Sequence, residues 1–374
     1  MFMNEKNILI KKIAITLIPG IGTIIAKKLI AYSGSIEAIF EEKKINLQKI
    51  PGVGEILTHA IIKNKDAALK RAEDELKFIE KKKIQALFYL DKDYPSRLKQ
   101  CDDAPIILYA KGNFEFNTEK VISIVGTRNA SEYGKSICEE WMKALAKHNI
   151  LVVSGLAYGI DICAHKAALK ETIQTVGVLA HGLDTLYPSA HKQTAIAMLE
   201  KGGVLTEFIS GTKPDKENFP KRNRIIAGMA DATFVVEAGI KGGALITAEL
   251  AHGYNRDVFA LPGRIGDTYS EGCNHLIKIN KAALVTGIKD IEYLMGWDLP
   301  QKKESKKIIQ SQLFSNFSVE EKTIVDILTA SNSISIDEIC FRSNMPMSKV
   351  SFNLLNLEFG GHVKSLPGKV YQLL

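Results

Sequence analysis

The alternation of apolar and polar positions divides the 374-residue chain into three blocks. From about residue 8 to 80, apolar residues recur at helical spacing beside Lys- and Glu-rich faces, which predicts helices, among them a long charged one around Asp66–Lys83. From about 105 to 295, short β-rich runs alternate with helical segments, which predicts a mostly parallel sheet covered by helices on both faces. In the last block, helical segments precede two short extended runs joined by Pro367-Gly368, a pattern typical of a winged helix.

The same pattern predicts the domain order and the element bounds. We expect a helical domain at 1–85, a sheet domain at 86–298, a polar linker at 299–312 and a winged-helix-like domain at 313–374. The predicted strands are Val121–Val125, Ile150–Val153, Thr175–Leu179, Val204–Thr206, Thr233–Val236, Val258–Ala260 and Ala283–Val285. The predicted helices between them are Ser131–His148, Ile160–Lys170, Ala190–Glu200 and Ala244–Gly253.

The first block contains an internal repeat. Ile18-Pro19-Gly20-Ile21-Gly22 returns 32 residues later as Ile50-Pro51-Gly52-Val53-Gly54, and each copy opens a helical segment. A glycine turn between two helices exposes backbone N–H groups to a phosphate without regard to base sequence. The repeat also fits a purely structural helical cap, and both interpretations stay open.

Charge adds information mainly in this first block. The chain has 49 Lys and Arg against 42 Asp and Glu, and residues 1–100 alone hold 19 basic and 12 acidic residues. A basic region beside a near-neutral body fits an accessory element that faces a polyanion, although solvated lysine-rich helix faces give the same count.

Cysteine spacing and hydropathy argue against several function classes. The five cysteines are scattered and contain no CxxC pair, which argues against a disulfide framework or a zinc site and fits a reducing cytoplasm. No apolar run approaches the roughly 18 residues of a membrane span. Lysines interrupt the apolar start of the chain, so we expect neither a secretory signal nor a membrane partner.

The first strand of the middle block leads into candidate phosphate chemistry. Gly126 begins a turn that carries Arg128, and Ser131 is a good cap for the helix that follows. Such a turn presents backbone N–H groups and the positive end of a helix dipole, and the Arg128 guanidinium adds a charged fork for the same oxygens. The turn lacks a complete Walker A or G-x-G-x-x-G pattern, which argues against ATP hydrolysis and NAD binding.

Further strand ends predict a crevice at this edge of the sheet. The second strand ends in a glycine-rich loop with Gly155 and Asp161, and the third ends in a loop that contains Asp184. Loops at the carboxyl ends of parallel strands converge on one crevice, the expected ligand site of an open α/β sheet. The two aspartates are either a catalytic carboxylate pair or residues that cap helices and fix loops.

The densest basic cluster opens a later helix. Phe219 offers a stacking surface beside Lys221, Arg222, Asn223 and Arg224, a combination that suits a polynucleotide backbone. Arg222 and Arg224 are two positions apart on a helix and point to different sides. We therefore expect one of them to face the ligand and the other to pair internally.

The remaining motifs are weaker. Lys241-Gly242-Gly243 follows the fifth strand and offers an amide nest with a cation. The histidines form no metal-ligand pattern, and Cys163 and His165 point to different faces of a helix, so we expect no metal site and no thiol nucleophile. The candidate recognition helix of the last block, Ser348–Glu358, carries only one Lys and one Glu, which favours protein contacts or a packed appendage over groove binding.

Together these motifs resemble the DNA-processing protein A family (DprA, also called Smf). The matching stretches appear in the family's order over about residues 105–290 and are SIVGTRNASEYG, VVSGLAYGID, HGLDTLYPSAHK, FPKRNRIIAGMAD, VVEAGIKGGALITAE and FALPGRIGDTYSEGCNHLI. The resemblance implies an α/β fold, with a Rossmann-like, mostly parallel sheet between an N-terminal helical domain of helix-hairpin-helix or SAM-like type and a C-terminal winged helix.

The resemblance also implies a function. It indicates a cytoplasmic, non-enzymatic homodimer without cofactor that binds single-stranded DNA regardless of sequence, protects incoming DNA and loads RecA in natural transformation and recombination. The DNA contacts that it implies are Gly126, Arg128, Ser131, Phe219, Arg222, Asn223, Arg224, Lys241, Gly242 and Gly243, to which the strand-end argument adds Gly155. Gly243 departs from the family, which has Ser there, and so lacks a hydroxyl donor.

Two other function classes compete with this one. A Rossmann-like domain with Gly242, Gly243, Thr247 and Glu249 also resembles nucleotide phosphoribohydrolases, which release a free base from a nucleoside monophosphate. Against this, the basic cluster FPKRNR carries more positive charge than recognition of a mononucleotide needs. Such enzymes are also usually compact single domains. A passive interaction scaffold is the third class and predicts no affinity for nucleic acid.

Overall fold

The computed structural model describes residues 2–297, 317–331 and 333–373, so the predicted linker at 299–312 lies outside the described residues. The chain forms two compact units. One, the terminal unit, consists of residues 1–76 and 301–374, and the other, the sheet unit, of residues 77–300. None of the helices in the described part of the chain combines the length and the apolar character that a membrane crossing requires.

Helices make up the first part of the terminal unit, as the periodicity predicts. Their bounds are α1 (Phe2–Ile15), α2 (Thr23–Ser33), α3 (Ile36–Glu41), α4 (Lys44–Leu47) and α5 (Glu55–Lys82). The repeated glycine turns join α1 to α2 and α4 to α5, with φ of 83° at Gly20 and 88° at Gly52, values that favour glycine. Helix α5 begins directly after the second turn, well before the predicted start at Asp66.

The two turns pack against each other reciprocally. A β-carbon at Gly20 would lie 2.9 Å from Leu57 Cδ2, and one at Gly52 would lie 3.5 Å from Ile25 Cδ1. Both pairs join a turn glycine of one repeat to the helix that follows the other repeat, and they are equivalent under the 32-residue offset. The repeat in sequence is therefore a repeat in structure with approximate two-fold symmetry.

The sheet unit contains the predicted strands and two more. The strands are β1 (Gln85–Phe88), β2 (Ile107–Asn113), β3 (Lys120–Val125), β4 (Ile150–Ser154), β5 (Gln174–Val178), β6 (Gly202–Thr206), β7 (Ala232–Val235), β8 (Asp257–Ala260) and β9 (Ala283–Leu284). The helices are α6 (Ser96–Lys99), α7 (Glu132–Leu145), α8 (Ile160–Lys170), α9 (Lys192–Met198), α10 (Asn218–Met229), α11 (Gly243–Gly253), α12 (Glu271–Lys278) and α13 (Ile288–Leu294). A 3₁₀ turn, Ser189–His191, precedes α9.

Within residues 77–297, these nine strands form one sheet in the order β1-β2-β6-β5-β4-β3-β7-β8-β9. Strands β3 to β9 are parallel, and β1 and β2 extend the sheet in antiparallel pairing beside β6. The mostly parallel sheet is thus confirmed, and the antiparallel edge is an addition. From β3 the chain builds one side through β4, β5 and β6, and the other through β7, β8 and β9.

This reversal of strand order fixes where a ligand crevice lies. In an open α/β sheet the loops that follow the two central strands diverge at the reversal and leave a gap. Here the reversal falls between β3 and β7. Beneath it lies an apolar core in which Trp141 of α7 meets Phe234 of β7 edge to face, with ring centroids 5.7 Å apart.

The C-terminal part of the terminal unit is a winged helix, as predicted. It comprises α14 (Val319–Thr329), β10 (Ile334–Ser335), α15 (Ile336–Ser343), α16 (Met347–Phe359), β11 (Val363–Leu366) and β12 (Val370–Leu373), with sheet order β10-β12-β11. Helix α16 includes the candidate recognition helix. Its Lys349 pairs with Glu320 at 2.8 Å, while Phe352 and Phe359 are exposed.

Candidate nucleic-acid interface

A shallow cleft opens at the carboxyl ends of β3, β4 and β5, beside the start of α10. It is lined by Arg128, Gly155, Ala157, Tyr158, Leu179, Ala180, His181, Tyr187, Pro188, Phe219 and Arg222. Four residues proposed from the sequence meet here: Arg128, Gly155, Phe219 and Arg222. The volume inside the cleft is only about 20 Å³, far less than a site that encloses a nucleotide needs.

Two arginines lie near the ring of Phe219. The guanidinium carbon of Arg128 lies 5.5 Å from the ring centroid, and that of Arg222 lies 5.9 Å from it. Both distances fall within the range of cation–π attraction. Tyr187 approaches the same ring with a centroid distance of 6.3 Å. The cleft therefore holds an aromatic surface with fixed positive charge on it.

Arg222 is buried at the base of this surface, with 4% of its area exposed. Its Nη1 donates to the Val178 carbonyl at 2.8 Å. A β-carbon at position 155 would lie 1.7 Å from this nitrogen, so the guanidinium fits only because residue 155 is glycine. Burial lowers the pKa of Arg222 to about 10, opposed by the nearby carboxylate of Asp161, and the side chain stays a cation at neutral pH.

The two candidate aspartates fix loops rather than form a catalytic pair. Asp161 is buried and accepts a hydrogen bond from the Gly155 N–H at 3.1 Å. Burial raises the pKa of Asp161, while Arg222 and backbone N–H groups oppose that rise. Asp184 accepts from the Gly211 N–H at 2.9 Å. Of the two interpretations left open by the sequence, the geometry favours loop fixation.

A pair of buried histidines underlies the cleft. His191 Nδ1 lies 2.8 Å from the Leu156 carbonyl, and its ring meets the edge of Tyr158 at 4.8 Å. His165 Nδ1 lies 2.7 Å from the Thr175 hydroxyl, which itself donates to the Val152 carbonyl. The Thr175 hydroxyl therefore links the buried imidazole to the backbone of β4. Burial, with His191 and Arg222 nearby, lowers its pKa to about 3.

The start of α7 has the predicted cap, since the Ser131 hydroxyl accepts from the Gly134 N–H at 3.1 Å, and it also has a partner that was not predicted. Glu237, which follows β7, places its carboxylate there, and its Oε2 accepts from the Ser131 N–H at 2.9 Å while the Ser131 hydroxyl donates to Oε1. Ser131 therefore binds an internal carboxylate in place of a phosphate. A β-carbon at Gly126 would lie 2.4 Å from Ile160, so Gly126 permits close packing. The signal in the sequence is a carboxylate directly after the apolar strand β7.

The other proposed contacts do not reach the cleft lining. Arg224 pairs with Glu207 and donates to the Asp103 carbonyl, so Arg224, like the buried Arg222, is held by internal partners. The Asn223 amide lies 3.5 Å from the Gly243 carbonyl.

At the start of α11, the side chain of Lys241 is exposed and Gly242 is the residue before the first helical turn. No atom lies within 4 Å of a β-carbon built on Gly243, so the serine typical of the family has room here. The sequence analysis did not propose two aromatic residues that line the cleft, Tyr158 and Tyr187, whose side chains are 47% and 48% exposed.

The residues of the alternative enzyme do not converge. The Thr247 hydroxyl donates within its own helix to the Gly243 carbonyl at 3.3 Å, and Glu249 pairs with Lys281 at 2.5 Å. An enclosed nucleotide site needs a cavity of a few hundred Å³. Neither the geometry nor the shallow cleft favours a phosphoribohydrolase.

Metal and thiol chemistry gain no support either. Among the described residues, no group of three His, Cys, Asp or Glu side chains has the arrangement to hold a metal ion. Burial raises the pKa of Cys163, so its thiol is not activated.

Comparison with known proteins assigns the class. The family model for DNA recombination-mediator protein A matches residues 85–296, and that for the DprA winged helix domain matches 318–369. Protein Smf of Escherichia coli is 31% identical over 357 residues, covering 91% of this chain and 94% of that protein. DNA processing protein DprA of Streptococcus pneumoniae is 41% identical over 209 residues, covering 56% of this chain and 73% of that protein.

Two solved structures resemble the chain. The crystal structure of DprA from S. pneumoniae matches with a TM-score of 0.55 and 34% identity, covering 73% of this chain and 98% of that one. A DprA structure from Helicobacter pylori, which concerns its single-stranded DNA binding mode, matches with a TM-score of 0.53 and 28% identity, covering 58% and 97%. The doubly wound sheet and the winged helix are thus each matched by a model of one DNA-processing family. The chain belongs to the DprA/Smf family.

Proposed function

We propose that the cleft binds single-stranded DNA without preference for base sequence. The observation that carries the proposal is the position of Arg128 and Arg222 beside the Phe219 ring, with guanidinium carbons 5.5 and 5.9 Å from its centroid. Every base has a π-face, so stacking on an aromatic ring tolerates any sequence. Arginine contacts to phosphate carry no base information.

The shape of the cleft supports a polymer ligand. A strand can lie across a shallow surface and expose its bases to Phe219 and to the half-exposed rings of Tyr158 and Tyr187. Arg128 is exposed and meets phosphates in solution, while the buried Arg222 holds the surface in place. The H. pylori relative, whose structure concerns single-stranded DNA binding, supports the same ligand for this chain.

The cellular role that we propose follows from the family. The protein protects incoming DNA, loads RecA onto it in transformation and recombination, acts as a homodimer in the cytoplasm and needs no cofactor. We also propose that the domains divide at 1–85, 86–298 and 313–374 with a linker at 299–312, a division that the matched ranges 85–296 and 318–369 support. The terminal domains then act as accessories to the cleft.

Fluorescence anisotropy of a labelled oligonucleotide tests the ligand. The protein is titrated at two salt concentrations, with duplex DNA and AMP as competitors. We expect salt-sensitive binding that neither competitor displaces, because each phosphate contact releases counterions. Absence of binding, or displacement by AMP, would contradict the proposal. RecA loading is tested separately by the rate of RecA filament formation on the same oligonucleotide with and without the protein.

A further inference from the structure

We propose that Glu237 is a specificity-determining residue, whose carboxylate occupies the place of a ligand phosphate at the strand reversal and so excludes mononucleotides. This place lies between β3 and β7, beside the cleft at the ends of β3, β4 and β5. The inference explains why a strand rather than a nucleotide binds, and in that respect it rests on the proposed function.

The contacts of Glu237 are those of a bound anion. Its Oε2 accepts from the Ser131 N–H at 2.9 Å, and the Ser131 hydroxyl donates to Oε1. The residue is 8% exposed, so the carboxylate has left bulk water. Burial of a charge is costly unless it is paired or hydrogen-bonded, and these two donors with the first turn of α7 supply that compensation.

The backbone around Glu237 leaves room for the carboxylate and for little else. A β-carbon at Gly134 would lie 2.5 Å from its Oε2 and 2.6 Å from its Cδ. The Thr127 N–H donates to the Glu237 carbonyl at 2.6 Å, which ties the loop after β3 to the end of β7. The gap that strand reversal would leave is therefore closed by this chain itself.

The position of the Glu237 carboxylate, at the start of α7 beside the strand reversal, is one that favours phosphate. In open α/β sheets a phosphate sits at the helix N-terminus beside the reversal, where free N–H groups and the helix dipole attract an anion. Helix α7 has 14 residues and starts at that point. A carboxylate attached to the chain has a high effective concentration, so a free nucleotide cannot compete with it.

Glu237→Ala tests the proposal, and Glu237→Ser is a second test variant. Both lack the carboxylate and are called the vacated variants. We expect phosphate and AMP to raise the melting temperature of either variant by about 3 °C or more near saturation and to leave the natural protein unchanged. AMP should also displace a labelled oligonucleotide from the vacated variants about tenfold more effectively than from the natural protein.

Glu237→Gln is the matched control, because glutamine fills the same volume without charge. It should give no thermal shift with phosphate. A phosphate-induced shift in melting temperature as large in Glu237→Gln as in Glu237→Ala would show that the side chain at this position does not exclude phosphate by occupying its place. A shift of the natural protein would show the same. No shift in a vacated variant that still melts cooperatively would also overturn it. The thermal shift needs no oligonucleotide, so a natural protein that fails to bind single strands contradicts the proposed function alone.

Discussion

The gap between β3 and β7 and the cleft beside it are built alike, but the gap is closed and the cleft is open. In each, a charged side chain lies against a glycine: the Glu237 carboxylate against Gly134, and the Arg222 guanidinium against Gly155. Glu237 finds two hydrogen bonds to Ser131, and the gap is closed. Arg222 keeps an Nε without a hydrogen-bond partner among the described residues, and its cleft stays open. The carboxylate fills the gap, whereas the guanidinium, held by the Val178 carbonyl and near Asp161, lines the cleft without filling it.

The largest effect is expected at the open cleft from Arg222→Met. The change removes the cation whose charge favours the ionised form of the buried Asp161 and the donor to the Val178 carbonyl, which together cost about 3 kcal/mol of unfolding free energy. Urea denaturation measures the loss. The double variant Asp161→Asn/Arg222→Met should regain part of it. A single variant as stable as the natural protein would show that the two charges are not coupled.

The next effect concerns the pH dependence of the unfolding free energy, through a histidine beneath the cleft. Buried His165 has a pKa of about 3 in the folded protein against 6.5 when unfolded, so the unfolded state binds the proton first. The contribution of neutral His165 to the unfolding free energy is complete above pH 6.5 and decreases as the pH falls toward 3. By pH 5 the loss from this group is about 2 kcal/mol. Denaturation at several pH values should show a shallower acid dependence for His165→Gln, and identical slopes would refute the assignment.

The closed gap is probed by Gly134→Ala. The added β-carbon would meet the Glu237 carboxylate at 2.5 Å, and we expect a loss of about 1 to 3 kcal/mol in unfolding free energy. Gly253→Ala in α11 is the matched control, because nothing lies within 4 Å of its β-carbon. That change should stabilise the protein by about 0.5 to 1 kcal/mol. Equal effects of both changes would mean that Glu237 moves aside freely.

Arg128→Ala should weaken binding without loss of stability, because the side chain is exposed. We expect about tenfold lower affinity for every homopolymer and a salt slope smaller by about 0.7. Anisotropy titrations measure both quantities. Lys135→Ala, at an exposed lysine that pairs with Glu132, is the matched control and should change neither. Unequal losses between homopolymers would argue for a base contact instead.

The smallest effect is expected from Gly243→Ser, which restores the residue typical of the family. The position is open, so we expect a change in stability within about 0.5 kcal/mol. If a strand passes the start of α11, the new hydroxyl should raise its affinity by a few-fold. An unchanged affinity in the anisotropy assay would place the strand away from Gly243.

Sequence patterns predicted the elements that depend on local signals. Strands β3 to β9 were found because buried parallel strands are short apolar runs, and α8 was predicted with its exact bounds. Strands β1 and β2 were missed because an antiparallel edge is defined by pairing with distant residues. The cleft was predicted in part, since Arg128, Phe219 and Arg222 meet there. The partnership of Glu237 with Ser131 spans 106 positions, so the local signal, a carboxylate after β7, does not indicate which residue it binds.

The reciprocal packing of the two hairpin turns has a consequence for the order of synthesis. The turn at Gly20 leaves the ribosome 32 residues before its counterpart at Gly52, and Leu57, which packs against it, emerges later still. Until then the turn at Gly20 lacks the side chain that packs against it, and a nascent chain with incomplete packing is exposed to misassembly. The first turn therefore completes its packing only after the second repeat has emerged.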